Sequence, residues 1–148
     1  MGFSVSPIQK RALLVLVLLL AVAGVWDLLP GTRLRAKQAE LIEWAGGGSL
    51  GDFRDSIAAP GYRDQWHESV NEVLERVRAA RFAFPGLTVE AGEPAFTREG
   101  DSALVRQTIT IRGADEVREA QFIFRWRRQN WLPWSWRLES SEAPGLEF

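Results

Sequence analysis

The chain contains a single histidine, His67, and a single tyrosine, Tyr62, within one stretch of helical periodicity. A histidine titrates near neutral pH and can act as a general base, while a tyrosine can donate a hydrogen bond to a substrate. Asp55 precedes them as a carboxylate near a predicted helix end. Each also has an ordinary structural explanation, because a histidine can border an apolar helix face, a tyrosine can close a core and an acid can stabilise a helix terminus.

Other kinds of catalytic or metal site lack the residues they need. The chain has no cysteine, which excludes disulfides, thiolate nucleophiles and cysteine-ligated metals. The sequence shows no paired carboxylates, metal-ligand spacing, nucleophile elbow or phosphate-binding loop. It therefore predicts no metal and no cofactor, and it favours a protein that is not an enzyme.

The segment RWRRQNWLPWSWRLESSE, residues 125–142, holds four of the seven tryptophans. Interleaved tryptophan and arginine is typical of single-stranded nucleic-acid binding. Strand alternation, however, places Trp126 on the face opposite Arg125 and Arg127, and both arginines can pair with Glu139 and neighbouring acids across the hairpin. The residues that follow the first thirty carry 16 basic and 18 acidic side chains, a net charge of −2, so the sequence predicts no nucleic-acid partner.

The same alternation separates the tryptophans into two groups. Five aromatic side chains are predicted to share a buried face, namely Phe122, Phe124, Trp126, Trp134 and Trp136. In contrast, Trp131, Leu132 and Pro133 fall in or beside the turn, where no core periodicity accounts for them. This short segment is therefore predicted to be an exposed contact.

Residues 12–29 are strongly apolar, and the first fifteen of them lack any polar side chain. A helix of twenty residues rises about 30 Å, which matches the hydrocarbon thickness of a bilayer. The segment is predicted to be a single transmembrane anchor that follows a short tail, residues 1–11. Its anchoring side chains include Leu13, Leu16, Leu20 and, near an interface, Trp26.

A cleaved secretory signal is the alternative explanation of the same segment. Lys10 and Arg11 form a basic start, an apolar run follows, and residues 21–23 match a small-x-small cleavage pattern. Both alternatives stay open, although the apolar run continues beyond that site and so favours the anchor. The order of charge, apolar run and small residues favours a cytoplasmic N-terminus, which places the remaining domain in the periplasm of a bacterial inner membrane.

The rest of the chain divides into a helical half and a strand-rich half. Helices are predicted at residues 33–45, 49–57 and 62–82, and the last of these carries one apolar face with His67 at its border. Alternation with period two then predicts four strands, at residues 87–96, 103–112, 118–127 and 131–140. The predicted fold class is α+β, an N-terminal single transmembrane helix followed by helices packed on a curved four-stranded antiparallel sheet.

This pattern resembles the nuclear transport factor 2-like superfamily, also called SnoaL-like or cystatin-like cones, over residues 33–141. The resemblance rests on the element order, on the long helix ending at FAFPG (82–86), and on the late strand pair FIFRWRRQN…WSWRLESSE. It implies a cone-like domain over residues 30–141 and a C-terminal tail at 142–148. Members of the superfamily include isomerases, dehydratases, transport adaptors and membrane-anchored secretion components, so the fold alone does not specify an activity.

Two functional hypotheses follow from these features. The first is a membrane-tethered, non-catalytic interaction module, an accessory subunit that binds other membrane-protein subunits of a larger complex. Its support is the predicted tether and the lack of a catalytic set. The second is a small-molecule-binding or enzymatic cone of the isomerase or dehydratase kind, with His67 and Tyr62 in the pocket.

Overall fold

The computed structural model describes residues 6–28, 30–132 and 134–145, without the side chains of residues 22–28, 30 and 31. The helices are α1 (Pro7–Leu28), α2 (Pro30–Ala45), α3 (Leu50–Asp52) and α4 (Val70–Ala83). α3 continues directly into a π-helical turn, Phe53–Ile57. The strands are β1 (Ala58–Asp64), β2 (Thr88–Ala91), β3 (Ala95–Glu99), β4 (Ser102–Arg112), β5 (Val117–Arg128) and β6 (Trp136–Glu142).

These strands form one curved, mixed sheet in the order β1-β6-β5-β4-β2, and β3 also pairs with β4. β2 pairs with the second half of β4 and β3 with the first half, so the two short strands are parts of one broken edge. β1 runs parallel to β6, whereas the other described pairings are antiparallel. The predicted α+β class is therefore confirmed.

The prediction of a four-stranded antiparallel sheet was wrong, because the described sheet has six strands and one parallel pair. Gly92 and Pro94 interrupt the predicted strand 87–96 and divide it into β2 and β3. β1 was missed because its hydrogen-bonding partner, β6, lies more than seventy residues further along the chain. No local periodicity reports such a pairing.

The predicted helix 62–82 was too long at its start, because residues 62–64 belong to β1 and α4 begins at Val70. A carboxylate oxygen of Asp64 accepts hydrogen bonds from the backbone N–H groups of Trp66 at 3.0 Å and Glu68 at 2.8 Å. These bonds fold the chain into a turn between strand and helix. Apolar spacing alone could not show that turn.

A capping box starts α4. The carboxylate of Glu72 accepts the backbone N–H of Ser69 at 2.7 Å, and the Ser69 side chain accepts a backbone N–H in return. By contrast, Ser49 makes no side-chain cap hydrogen bond at the start of α3.

α1 and α2 follow one another with only residue 29 between them. Pro30 begins α2, a position where the missing N–H of proline costs nothing. The eight described side chains from Leu13 to Leu20, which include Leu16, are 53–64% exposed, whereas the side chain of Trp26 lies outside the described set. Over the described part of the chain, no helix is both long and apolar enough to cross a membrane.

The core lies between the sheet and the helices α2 and α4. Within it, the indole N–H of Trp126 donates to Gln38 Oε1 at 2.9 Å, and Gln38 Nε2 donates to Gln107 Oε1 at 2.7 Å. Gln107 Nε2 then donates to the carbonyl of Gly92 at 2.8 Å. In this series of hydrogen bonds each buried polar group has a partner. The series therefore links α2 to the sheet and offsets the cost of burying these groups.

The final hairpin agrees with the predicted alternation except at Trp134. Trp126 and Trp136 are fully buried, and Phe124 is buried with them, but Trp134 is 55% exposed. The reason is that β6 begins only at Trp136, while the Ser135 hydroxyl donates to backbone carbonyls of the preceding turn. Strand alternation therefore does not extend back to Trp134.

Candidate functional site

A cavity of about 380 Å³ lies between the helices α2 and α4 and the concave face of the sheet. Its walls are largely aliphatic and aromatic. The side chains of α2 and α4 that line it include Leu41, Ile42, Val73, Val77 and Ala80, and those of the sheet include Val89, Ile109, Ile111, Phe122, Phe124 and Leu138. Such a cavity suits an apolar molecule of small-ligand size, for which roughly 300–1,000 Å³ is usual.

Three aromatic rings form one continuous wall of this cavity. Trp44 stacks on Phe53 with ring centroids 4.5 Å apart, and Phe53 meets Tyr62 edge to face at 5.3 Å. The π-helical turn places Phe53 between the other two rings, and the indole N–H of Trp44 donates to the Ser49 carbonyl at 2.9 Å. The rings are thus locked by contacts on both sides, and the wall is rigid.

Tyr62 and Ser141 provide the cavity's hydroxyl groups. The two hydroxyl oxygens are 2.5 Å apart, one from β1 and the other from the adjacent strand β6. The pKa of Tyr62 is raised to about 12, chiefly by burial; the hydrogen bond with Ser141 opposes this rise, and the charges of Asp64 and Glu68 add to it. At neutral pH the phenol is therefore protonated and can act as a hydrogen-bond donor.

Arg81 is the cationic residue among the described side chains that line the cavity. Its guanidinium donates to the carbonyls of Gly48 at 2.6 Å and Trp44 at 2.7 Å, and it also lies over the Trp44 ring. These carbonyls belong to the C-terminal end of α2 and the loop after it, where a cation is electrostatically favourable. Arg81 thus joins α4 to α2 beside the cavity.

A smaller chamber of about 160 Å³ adjoins the main cavity, and Tyr62 and Ser141 line both. Asp64, Glu68 and Arg76 contribute its polar groups. Desolvation raises the pKa of Glu68 above its usual range, and a hydrogen bond to Asp64 adds to this effect, while Arg76 opposes it. The Tyr62–Ser141 pair therefore borders both the apolar cavity and a chamber whose lining includes charged groups.

The structure separates the three candidate catalytic residues. Tyr62 lies in the cavity, but the prediction that His67 borders the apolar face of a helix was wrong. His67 is exposed in the turn before α4 with a φ of 62°, outside the cavity lining. Asp55 is exposed on the π-helical turn and lines a different surface depression.

The predicted contact segment lies at the end of the β5–β6 hairpin. Trp131 is 79% exposed, in agreement with its predicted exposure, and Leu132 is half-buried. Pro133 lies outside the described residues. Two of the three arginines of RWRR form cross-strand ion pairs within the hairpin, as predicted, Arg127 with Glu139 at 3.5 Å and Arg125 with Glu142 at 3.4 Å.

Ser141 and Arg81 are the cavity residues that the sequence did not reveal. Simple alternation from Trp136 and Leu138 would point Ser140 inward. A bulge in β6 shifts the register instead, because Trp126 pairs with Leu138 while Phe124 pairs with Ser141. In the sequence, Arg81 looks like an ordinary solvent-exposed arginine of a helix. Its partners are backbone carbonyls remote in the sequence, so no local pattern reports them.

Comparison with known proteins bears on the fold. No protein-family model and no curated protein matches the chain. Solved structures do match. An NTF2-like protein with a cystatin-like fold from Novosphingobium aromaticivorans superposes with a TM-score of 0.61 at 17% identity, over 98% of this chain and 94% of that one. The chain has the NTF2-like, cystatin-like fold.

Two further solved structures agree. A cystatin-like protein of unknown function from Nostoc punctiforme has a TM-score of 0.59 at 14% identity, over 78% of this chain and 92% of that one. An NTF2-like protein from Cytophaga hutchinsonii has a TM-score of 0.58 at 8% identity, over 76% and 95%. At such identities the likeness establishes architecture and leaves activity open.

Among the described residues, no group of three or more acidic or histidine side chains is placed to hold a metal ion.

Proposed function

We propose that this chain is a membrane-tethered binding module whose cone holds an apolar small molecule without transforming it. The observation that carries the proposal is the cavity of about 380 Å³, whose aliphatic and aromatic walls come from α2, α4 and the sheet. Binding in such a cavity is driven by removal of apolar surface from water. The Tyr62 and Ser141 hydroxyls give it one polar point that can orient a ligand.

Binding without turnover is favoured by the state of the cavity's polar groups. Tyr62 is held as a neutral phenol, and Arg81 already donates to two backbone carbonyls. The described residues that line the cavity include no aspartate, glutamate or histidine. A general acid–base mechanism requires a group that titrates near the working pH beside the ligand, and these walls offer none.

The tether is proposed to be residues 12–29, in a bacterial inner membrane with the cone in the periplasm. α1 has 22 residues, so it rises about 33 Å along its axis. Its described leucine and valine side chains are exposed rather than packed against the cone. The apolar run is completed in the sequence by residues 22–29, whose side chains are outside the described set.

The intact mass of the protein purified from membranes distinguishes a tether from a cleaved signal. The proposal predicts the mass of a chain that retains residues 12–29. It also predicts that alkaline carbonate fails to release the protein from membranes. A mature chain that begins after Ala23, found in the soluble fraction, would replace the tether by a secretion signal.

Titration with an environment-sensitive apolar fluorophore tests the ligand cavity. The full chain in detergent micelles is expected to give saturable binding above that of empty micelles. His67→Ala should bind the probe with unchanged affinity, because His67 lies outside the cavity. A folded His67→Ala protein that no longer binds the probe would contradict the placement of His67 outside the ligand site. It would favour the alternative of an enzymatic cone that uses His67 and Tyr62.

A second candidate function is an accessory subunit of a larger membrane complex. The observation that favours it is the exposure of large aromatic side chains, 90% at Phe82 and 61% at Phe84, at the end of α4. Exposed aromatic residues are common anchors of protein interfaces. Purification in mild detergent should then yield stoichiometric partner subunits, which a Phe82→Ser, Phe84→Ser variant should lose.

A further inference from the structure

The turn between β5 and β6 places one exposed tryptophan, Trp134, beside a group of basic side chains. Trp134 lines two adjoining surface depressions, one shared with residues of α2 and the other with residues of the π-helical turn. Trp131 lies three residues away and is largely exposed. The Trp134 surface consists of the two tryptophans and the basic side chains around Trp134: Arg33, Lys37, Arg54, Trp131, Trp134 and Arg137.

The Trp134 surface carries positive charge in a chain whose net charge is −1. Its four basic side chains share the two depressions with two acidic residues, Glu40 and Asp55. Lys37 pairs with Glu40 at 3.3 Å. Arg137 instead donates to a backbone carbonyl at 2.8 Å and Arg54 to a side-chain amide oxygen at 2.7 Å, so neither of these contacts is an ion pair.

The same surface adjoins the start of α2. Arg33 is five residues beyond Leu28, the last residue of α1, so at most about 18 Å of chain separates the two. The headgroup layer extends roughly 5–8 Å beyond the hydrocarbon on each side of a bilayer. With α1 inserted, Arg33 at the edge of the Trp134 surface therefore lies no more than about 18 Å of chain from the membrane end of α1.

We infer that the Trp134 surface docks on anionic phospholipid headgroups, with Trp131 and Trp134 at the interface and Arg54 and Arg137 against the phosphates. The inference rests on the proposed insertion of α1. Tryptophan has an apolar body with one N–H donor and is enriched at membrane interfaces. Arginine presents a planar fork that matches phosphate oxygens. Docking gives the cone a second point of attachment and so fixes its orientation on the membrane.

Lipid quenching of single fluorophores tests this contact. The chain has no cysteine, so Gln129→Cys labels the turn beside the tryptophans and Asp115→Cys labels the opposite end of β5, roughly 40 Å away. The full chain is reconstituted in phosphatidylcholine vesicles, with or without phosphatidylglycerol, that contain headgroup-quenching lipid. Quenching at Gln129 should be severalfold stronger than at Asp115 when phosphatidylglycerol is present, and weaker without it.

Charge variants assign the contact to the arginines. Arg54→Gln with Arg137→Gln should remove the effect of phosphatidylglycerol, while the matched pair Arg112→Gln with Arg118→Gln, at the other end of the sheet, should not. Equal quenching at Gln129 and Asp115, or quenching indifferent to phosphatidylglycerol, overturns the inference and leaves a protein partner as the alternative for these tryptophans. A label at Leu16→Cys in vesicles whose lipids carry a quencher on the acyl chains separates the two proposals, because an unquenched label there overturns the insertion of α1 itself.

Discussion

The hydroxyl oxygens of Tyr62 and Ser141 lie 2.5 Å apart at the boundary between a large apolar cavity and a smaller chamber lined by charged groups. Tyr62 comes from β1 and Ser141 from β6, the one parallel pair among the described strands. Tyr62 is buried and Ser141 is half-buried, and each hydroxyl is the other's hydrogen-bond partner. The pair is thus at once a structural joint of the cone and the polar point of its cavity.

Mutual satisfaction makes the two hydroxyls energetically coupled. Tyr62→Phe or Ser141→Ala alone leaves one buried hydroxyl without its partner and should lower the free energy of unfolding by about 1–3 kcal/mol. The double variant should cost less than the sum of the single variants, since no hydroxyl is then left unsatisfied. Urea denaturation of the four proteins measures this coupling, and strictly additive costs would show that the hydroxyls do not depend on each other.

The pKa of Tyr62 predicts how stability changes in alkaline solution. A folded-state pKa of about 12, above the ordinary value of 10.0, favours the neutral phenol in the folded protein. This contribution is fully present below pH 10 and is lost as the pH rises towards 12, with a total of roughly 2–3 kcal/mol.

Since Tyr62 is the only tyrosine, tyrosinate absorbance reports its titration without interference from other tyrosines. The stability of Tyr62→Phe should lack this component, so the difference between the two proteins should change over that pH range alone. A tyrosine that titrates near 10 in the folded protein would show that its hydroxyl is open to water.

The tryptophans of the last hairpin should differ sharply in their contribution to stability. Trp136 is fully buried, so Trp136→Ala should lower the free energy of unfolding by about 3–5 kcal/mol. Trp131→Ala is the matched control on the same hairpin, and its exposure predicts a change within about 0.5 kcal/mol. Comparable losses in both variants would mean that Trp131 packs against part of the protein.

Sequence patterns located the elements that carry a clear local signal. Alternation in β4, β5 and most of β6 follows from one buried and one exposed face, so Trp126 and Trp136 were placed correctly. β1 was not predicted because its hydrogen bonds go to a strand remote in sequence. The start of α4 was predicted too early, because apolar residues in the turn at Asp64 have the same spacing in the sequence as those of a helix.

The candidate site was harder to predict than the fold, because the positions of its residues depend more on contacts between residues remote in sequence. Tyr62 was selected for its chemistry, and the structure places it in the cavity. His67 was selected for the same reason, but the turn that ends β1 carries it to the surface. Ser141 faces the cavity only because β6 contains a bulge, and the residue types alone gave no sign of that irregularity.

The most direct measurement of the central claim is ligand-probe affinity after the cavity has been filled. Ala80 lines the cavity on α4, while its neighbour Ala79 is exposed on the same helix. Ala80→Trp should therefore weaken binding of an apolar fluorophore at least tenfold, whereas Ala79→Trp should leave it unchanged, with circular dichroism showing that both variants fold. Undiminished binding by a folded Ala80→Trp protein would contradict the proposal that the cone's cavity is the ligand site.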